Sequence, residues 1–264
     1  MSRYSAMFDR LNGHGAFGAF LMLGDPGLET SAALLDAAVE GGADMIEVGI
    51  PFSDPVADGP VIQAAAQRAL AAGVRVGDCF DLIRGFRERH PQVPVGILTY
   101  ANLVLARGRD AFYRSAAEAG ADSVLVADVP LMEAEPYAAA ARAAGIAPVL
   151  IAAANTPAER LARIAAVGEG YTYCVARSGV TGAGEKVHFD HAAMLDALRA
   201  AGAPPPIFGF GISRPDHVRA ALAAGAAGVI SGSAIVDLVA RGESVRPFIE
   251  AMKAATYPLA EATA

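Results

Sequence analysis

Apolar residues fall in short continuous runs along this chain. Each run gives way to a loop rich in Gly, Pro and Asp, and each loop to an alanine-rich amphipathic stretch. The runs are Phe17–Leu23, Met45–Ile50, Pro94–Leu98, Ser123–Ala127, Ala147–Ile151, Gly170–Val175, Pro206–Gly209 and Gly228–Ser231. A strand buried on both faces reads in this unbroken way. The stretches between them predict helices over Glu29–Glu40, Val61–Ala71, Asp110–Ala119, Glu133–Ala144, Pro157–Ala166, Phe189–Ala201, Arg214–Ala224 and Val245–Ala255. Several end on one phrase: Glu-Gly-Gly-Ala-Asp (40–44), Glu-Ala-Gly-Ala-Asp (118–122), Arg-Ala-Ala-Gly-Ile (142–146) and Ala-Ala-Gly-Ala-Ala (223–227). Glycine there suits a left-handed helix cap.

Alternating strand and helix predicts a parallel sheet, and about eight units predict an α/β fold, a single-domain (βα)8 TIM barrel spanning residues 1–264. Extra helices are expected at Val76–Arg89 and Ser233–Val239, and a short N-terminal helix at about 2–12. An open doubly wound sheet is the alternative, weakened because no Gly-x-Gly-x-x-Gly follows the first strand. The 264 residues suit one large α/β domain, and no low-complexity tract divides them.

Composition narrows the partners. A net charge of −7 argues against nucleic acid. The apolar run Ala16–Leu23 is too short to span a bilayer, and the N-terminus lacks a signal peptide's apolar core. Cys79 and Cys174 have no metal or redox spacing and are expected to be reduced, which points to the cytoplasm. The five histidines (14, 90, 188, 191, 217) show no metal-site spacing and are read as helix and loop surface.

Glu47 is the anomaly: a carboxylate inside the apolar run Met45–Ile50. Burial there raises its pKa toward the range useful for proton transfer, although a structural acid tied to an internal lysine or hydroxyl fits the same pattern. Asp58, in Ala-Asp-Gly-Pro, is expected to be solvated and ionised, so the two acids would take unlike roles. Glu47 lies on strand two and Asp58 in the loop after it, so both are expected to face the C-terminal end of the barrel, where such folds place their chemistry. Three late loops, 178–184, 209–213 and 231–234, are glycine-rich and suited to presenting backbone N–H groups to a phosphate, with Ser233 opening a helix. The loop Arg177–His188 has the composition of a lid, or of a plain surface loop.

Several motifs together resemble the tryptophan synthase α subunit family over nearly the whole chain. They are Leu-Gly-Asp-Pro-Gly (23–27), Glu-Val-Gly-Ile-Pro-Phe-Ser-Asp-Pro-Val-Ala-Asp-Gly-Pro-Val-Ile-Gln (47–63), Tyr-Ala-Asn (100–102), Asp-Val-Pro (128–130), Gly-Val-Thr-Gly (179–182), Gly-Phe-Gly-Ile-Ser (209–213) and Gly-Ser-Ala (232–234). The resemblance implies retro-aldol cleavage of indole-3-glycerol phosphate to indole and glyceraldehyde 3-phosphate. It implies no cofactor in this chain, and a PLP-containing β subunit as partner in an α2β2 complex. Glu47 then matches the general acid/base and Asp58 the acceptor of the indole N–H. Gly182, Gly211, Gly232 and Ser233 match phosphate-binding positions. Phe20, Leu98, Tyr100, Leu125, Ile151, Tyr173 and Phe210 match the indole pocket, and Thr181 a lid residue that orients Asp58. Pro51, Asp54, Asn102 and Pro130 match the partner interface. The chain departs from the family pattern at Ala176, where Ser often precedes the lid arginine, and at Gly18 and Ala19 in the first strand. Alternatives are a self-sufficient indole-releasing lyase, a catalytically weak activator of the β subunit, or another phosphate-binding barrel. The barrel that forms indole-glycerol phosphate would need lysines near its strand ends, and here only Lys186 and Lys253 occur.

Overall fold

A computed structural model describes residues 1–175 and 191–258. The expected TIM barrel is present. Helix α1 (Arg3–Leu11) leads into β1 (Ala16–Met22), α2 (Leu28–Glu40), β2 (Met45–Gly49), α3 (Pro60–Ala71), α4 (Val76–Arg89) and β3 (Val95–Thr99). Then come α5 (Ala101–Leu105), α6 (Arg109–Ala119), β4 (Ser123–Val126), a 3-10 turn (Leu131–Glu133), α7 (Ala134–Ala143), β5 (Ala147–Pro148) and β6 (Leu150–Ala153). The chain closes with α8 (Ala158–Val167), β7 (Thr172–Val175), α9 (Ala192–Ala200), β8 (Pro206–Phe208), α10 (Pro215–Ala223), β9 (Gly228–Ser231), α11 (Ser233–Ala240) and α12 (Arg246–Ala254).

All strand pairs are parallel, in the order β5-β4-β3-β2-β1-β9-β8-β7-β6. β5 and β6 are two halves of one barrel strand, parted at Val149. One half pairs with β4 and the other with β7, so the ring closes through that break. The predicted strands and helices match the observed ones to within a few residues wherever they are described. Helix α5 is additional. Its first free amide, Ala101 N–H, donates to Asp128 Oδ1 at 2.7 Å, a cap supplied from the loop after β4.

Two apolar layers follow from strand alternation. Phe17, Ile46, Val48, Ile97, Val124 and Cys174 face outward onto the helices, while Phe20, Met45, Leu125, Tyr171, Tyr173, Ile207 and Ile230 fill the barrel. Gly18 needs no side chain, because a Cβ there would lie 2.7 Å from Ile230 and 3.0 Å from Met45.

The N-terminal end of the barrel is closed by α1. Its Tyr4, Met7 and Leu11 share one face and enter the interior core, and the Tyr4 hydroxyl meets Ser123 Oγ at 2.8 Å. The repeated phrases now have a shared structure. Gly42, Gly120, Gly145 and Gly225 all have positive φ. The Asp that ends two of the phrases reaches back to the preceding strand: Asp44 accepts from Phe17 N–H and Asp122 from Val95 N–H, each at 2.8 Å. Among the described residues no helix is long and apolar enough to cross a membrane.

Candidate active site

β2 aims Glu47 into the barrel, between Phe20 of β1 and Gly96 of β3. Its side chain is 1% exposed. The Tyr171 hydroxyl, at the foot of β7, donates to Oε1 at 2.7 Å, and Oε2 has no hydrogen-bond partner among the described residues. Burial pushes the carboxyl up to about 7, against the lowering effect of the Tyr171 bond and with a further push from Asp58. Both sequence readings of Glu47 therefore hold in part. It is tied to an internal hydroxyl, and burial also raises its pKa, with one oxygen left without a partner among the described residues.

Asp58 departs from expectation. It is 9% exposed rather than solvated, and burial raises its pKa, opposed by a bond from Tyr100. The cause is a clamp from the next unit of the barrel. The Tyr100 hydroxyl donates to Asp58 Oδ2 at 2.8 Å and accepts from Ala57 N–H at 3.2 Å. The Tyr100 ring stacks on Phe52 at 5.2 Å, and Gln63 Nε2 from α3 donates to the Asp58 carbonyl at 2.8 Å. α3 is itself tied to the loop after β1, since Arg68 donates both Nε and Nη2 to Asp25, at 2.8 and 2.7 Å. Tyr171 and Gln63 were not singled out from the sequence, although Gln63 ends the motif that runs from Glu47.

The other predicted pocket residues gather at the same end. Phe20, Leu125 and Tyr173 belong to the interior core, with Leu98 and Phe210 packed against it. Tyr173 and Phe210 meet edge to face at 5.8 Å. A Cβ at Gly209 would lie 2.0 Å from the Tyr173 ring, so glycine at 209 is what admits that ring. Ile151 stands at the rim and is the exposed member of the set. Tyr100, also predicted for the pocket, is buried with its hydroxyl on Asp58.

Gly211 lies in the loop after β8 with φ +81°, and Gly232 caps α11, of which Ser233 is the first residue. Gly232 approaches Phe20, which would be 3.5 Å from a Cβ there. The two late loops thus stand at the same end of the barrel as the acids. Gly182, Thr181, Ala176 and the loop Arg177–His188 lie outside the described residues. Of the predicted interface residues, Asp54, Asn102 and Pro130 are exposed, whereas Pro51 is buried directly after β2 and offers no surface.

Two histidines read as surface are buried: His191, stacked on Phe208 at 5.1 Å, and His217. His90 pairs with Asp36 at 2.8 Å. Cys79 and Cys174 are free and buried. Among the described residues no three metal-ligating side chains come together.

The chain is similar to known proteins over nearly its whole length. The family described as tryptophan synthase alpha chain matches residues 8–263. The tryptophan synthase alpha chain of Shewanella amazonensis is 53% identical, over 97% of this chain and 100% of that protein. That of Klebsiella pneumoniae is 48% identical over 97% and 99%. Among solved structures, a Mycobacterium tuberculosis tryptophan synthase chain superposes with a TM-score of 0.87 at 31% identity, covering 97% of this chain and 98% of that one. The alpha subunit of Legionella pneumophila gives 0.85 at 29% identity, over 97% and 98%.

Proposed function

Because this chain belongs to the tryptophan synthase alpha chain family, and so cleaves indole-3-glycerol phosphate in tryptophan biosynthesis as a carbon–carbon lyase, we propose that Glu47 and Asp58 divide the chemistry of that cleavage. The observation that carries the assignment is the state of Glu47: buried, held by one phenol, and poised near pH 7. At that value both the acid and the base form are populated at neutrality.

Glu47 gives its proton to indole C3. The ring becomes cationic, with charge shared onto N1, and Asp58 accepts the N1–H bond and offsets that charge. The bond from C3 to the hydroxyl-bearing glycerol carbon then breaks, and its electron pair returns to the indole ring. The hydroxyl proton passes to the Glu47 carboxylate, which leaves glyceraldehyde 3-phosphate and the enzyme in its starting state. The proton that Glu47 gives to C3 is replaced by the one it takes from the hydroxyl, while Asp58 exchanges none, so the reading needs no cofactor in this chain. Phe20, Leu98, Leu125, Ile151, Tyr173 and Phe210 would surround the indole. The N–H groups of Gly211, Gly232 and Ser233, with Gly182, would hold the phosphate.

The partner reading rests on three large apolar side chains. Val56, Leu105 and Met132 are 71%, 51% and 76% exposed, in or beside the loops that follow β2, β3 and β4. They stand in or beside successive loops at one end of the barrel, and apolar surface exposed together marks protein–protein contacts. With Asp54, Asn102 and Pro130 they form the surface we assign to a PLP-containing β subunit in an α2β2 assembly in the cytoplasm. Val56 shares its loop with Asp58, which links docking to the catalytic acid.

The test is indole release from indole-3-glycerol phosphate, with and without added β subunit. Glu47→Gln is expected to lose about 10²–10⁴-fold in kcat while inorganic phosphate still competes with substrate; near-normal turnover would remove Glu47 from its role. Asp58→Asn is expected to lower kcat, and a change in KM alone would exclude charge stabilisation. Met132→Asp is expected to weaken the response to β subunit, and release that is fast without any partner would favour the self-sufficient lyase.

A further inference from the structure

The loop that follows β8 is fastened at two points beyond Gly211. The Ser231 hydroxyl, fully buried on β9, donates to the Ile212 carbonyl at 2.6 Å. One residue on, the Ser213 N–H donates to Nδ1 of His217, in the first turn of α10, at 3.3 Å. For Nδ1 to accept, the ring is neutral and carries its proton on Nε2. That Nε2 is buried with no hydrogen-bond partner among the described residues. A buried polar atom without a partner is unfavourable, so an apolar side chain would suit this spot better if packing were its only task. The charged groups beside His217 are engaged elsewhere: Asp216 takes both Nε and Nη2 of Arg214, at 3.0 and 2.9 Å.

We infer that His217 is a positioning residue for the substrate phosphate: by taking the Ser213 N–H it fixes the peptides after Gly211, so that the Gly211 N–H points into the site. The inference rests on the reading that Gly211 binds phosphate. The anchor lies on α10, outside the pocket, and acts through the backbone of the loop alone. Its loss weakens phosphate binding and spares the acid–base step at Glu47.

The test compares His217→Ala, His217→Asn and the parent chain in the full-length protein. Asn places an acceptor oxygen near the position of Nδ1 and keeps the Ser213 bond; Ala removes it. His217→Ala is expected to raise both KM for indole-3-glycerol phosphate and the inhibition constant of inorganic phosphate about three- to tenfold, the scale of one neutral hydrogen bond. Its kcat is expected to stay within about twofold, and His217→Asn is expected to restore both constants. The inference is overturned if His217→Ala binds phosphate as the parent does, or if His217→Asn binds as weakly as His217→Ala while its thermal midpoint matches the parent's. Inorganic phosphate that fails to compete with substrate on the parent chain would overturn the phosphate site itself and this inference with it, and that result is visible before any variant is made.

Discussion

Two pairs of buried or nearly buried carboxylates stand at opposite ends of this barrel, and their partners differ in kind. At the N-terminal end Asp44 meets Lys253 Nζ at 2.7 Å, and Asp122 meets Arg87 at 2.7 Å and Arg3 at 2.9 Å. At the C-terminal end, among the described residues, the Glu47 and Asp58 carboxyls meet the phenols of Tyr171 and Tyr100. A cation holds a carboxylate in its charged form, while a phenol in a dry setting leaves burial as the dominant influence. The acids that organise strand ends are paired with cations, whereas burial raises the pKa of Glu47 and of Asp58. Burial alone does not tell a structural acid from a reactive one; the partner does.

The largest test of this contrast is Glu47→Gln, taken now as a stability variant. The folded value near 7 lies above the ordinary 4.5, so between those values the folded protein holds a proton that the unfolded chain has released. Stability then falls as pH rises from about 4.5 to about 7, by about 3 kcal/mol in all. Removing the carboxyl relieves that loss, and Glu47→Gln is expected to be more stable than the parent at pH 8 by chemical denaturation, with the advantage gone near pH 4.5. Next is Asp122→Asn, which leaves the partly buried Arg87 beside a neutral amide. It is expected to lose about 3 kcal/mol of stability with kcat of the folded enzyme within about twofold. A gain from Asp122→Asn, or a loss at pH 8 from Glu47→Gln, would erase the contrast. A smaller effect is expected from Tyr100→Phe, which frees Ala57 N–H and Asp58; it should cost about 1 kcal/mol and part of kcat. The smallest is Tyr171→Phe. Its hydrogen bond favours the charged form of Glu47, so its removal should move the corresponding limb of the activity–pH profile upward.

The barrel itself was legible because its strands are buried on both faces and read as apolar runs without interruption. Glu47 was legible for the same reason, as the charge that breaks such a run. What could not be read depended on contacts between distant residues. Asp58 looked solvated in Ala-Asp-Gly-Pro because its roof, Tyr100, comes from the neighbouring unit 42 residues later. α5 was missed because it is only five residues long and its cap, Asp128, belongs to the loop after β4. His191 and His217 lie at no strand end and in no metal spacing, which reads as surface, yet both are buried, at the start of α9 and in α10. Pro51 followed the family pattern as an interface residue, but it stands too close to the end of β2 to reach the surface.

The sequence separation of 124 from Glu47 to Tyr171 also has a meaning in time. A ribosome adding about 5–20 residues per second needs about 6–25 s to travel from the acid to its phenol. For that interval β2 belongs to an unfinished barrel whose interior water still reaches, and the carboxylate stays hydrated. Its full desolvation waits longer still, because β8 and β9, which stand between β7 and β1 in the ring, are made after β7.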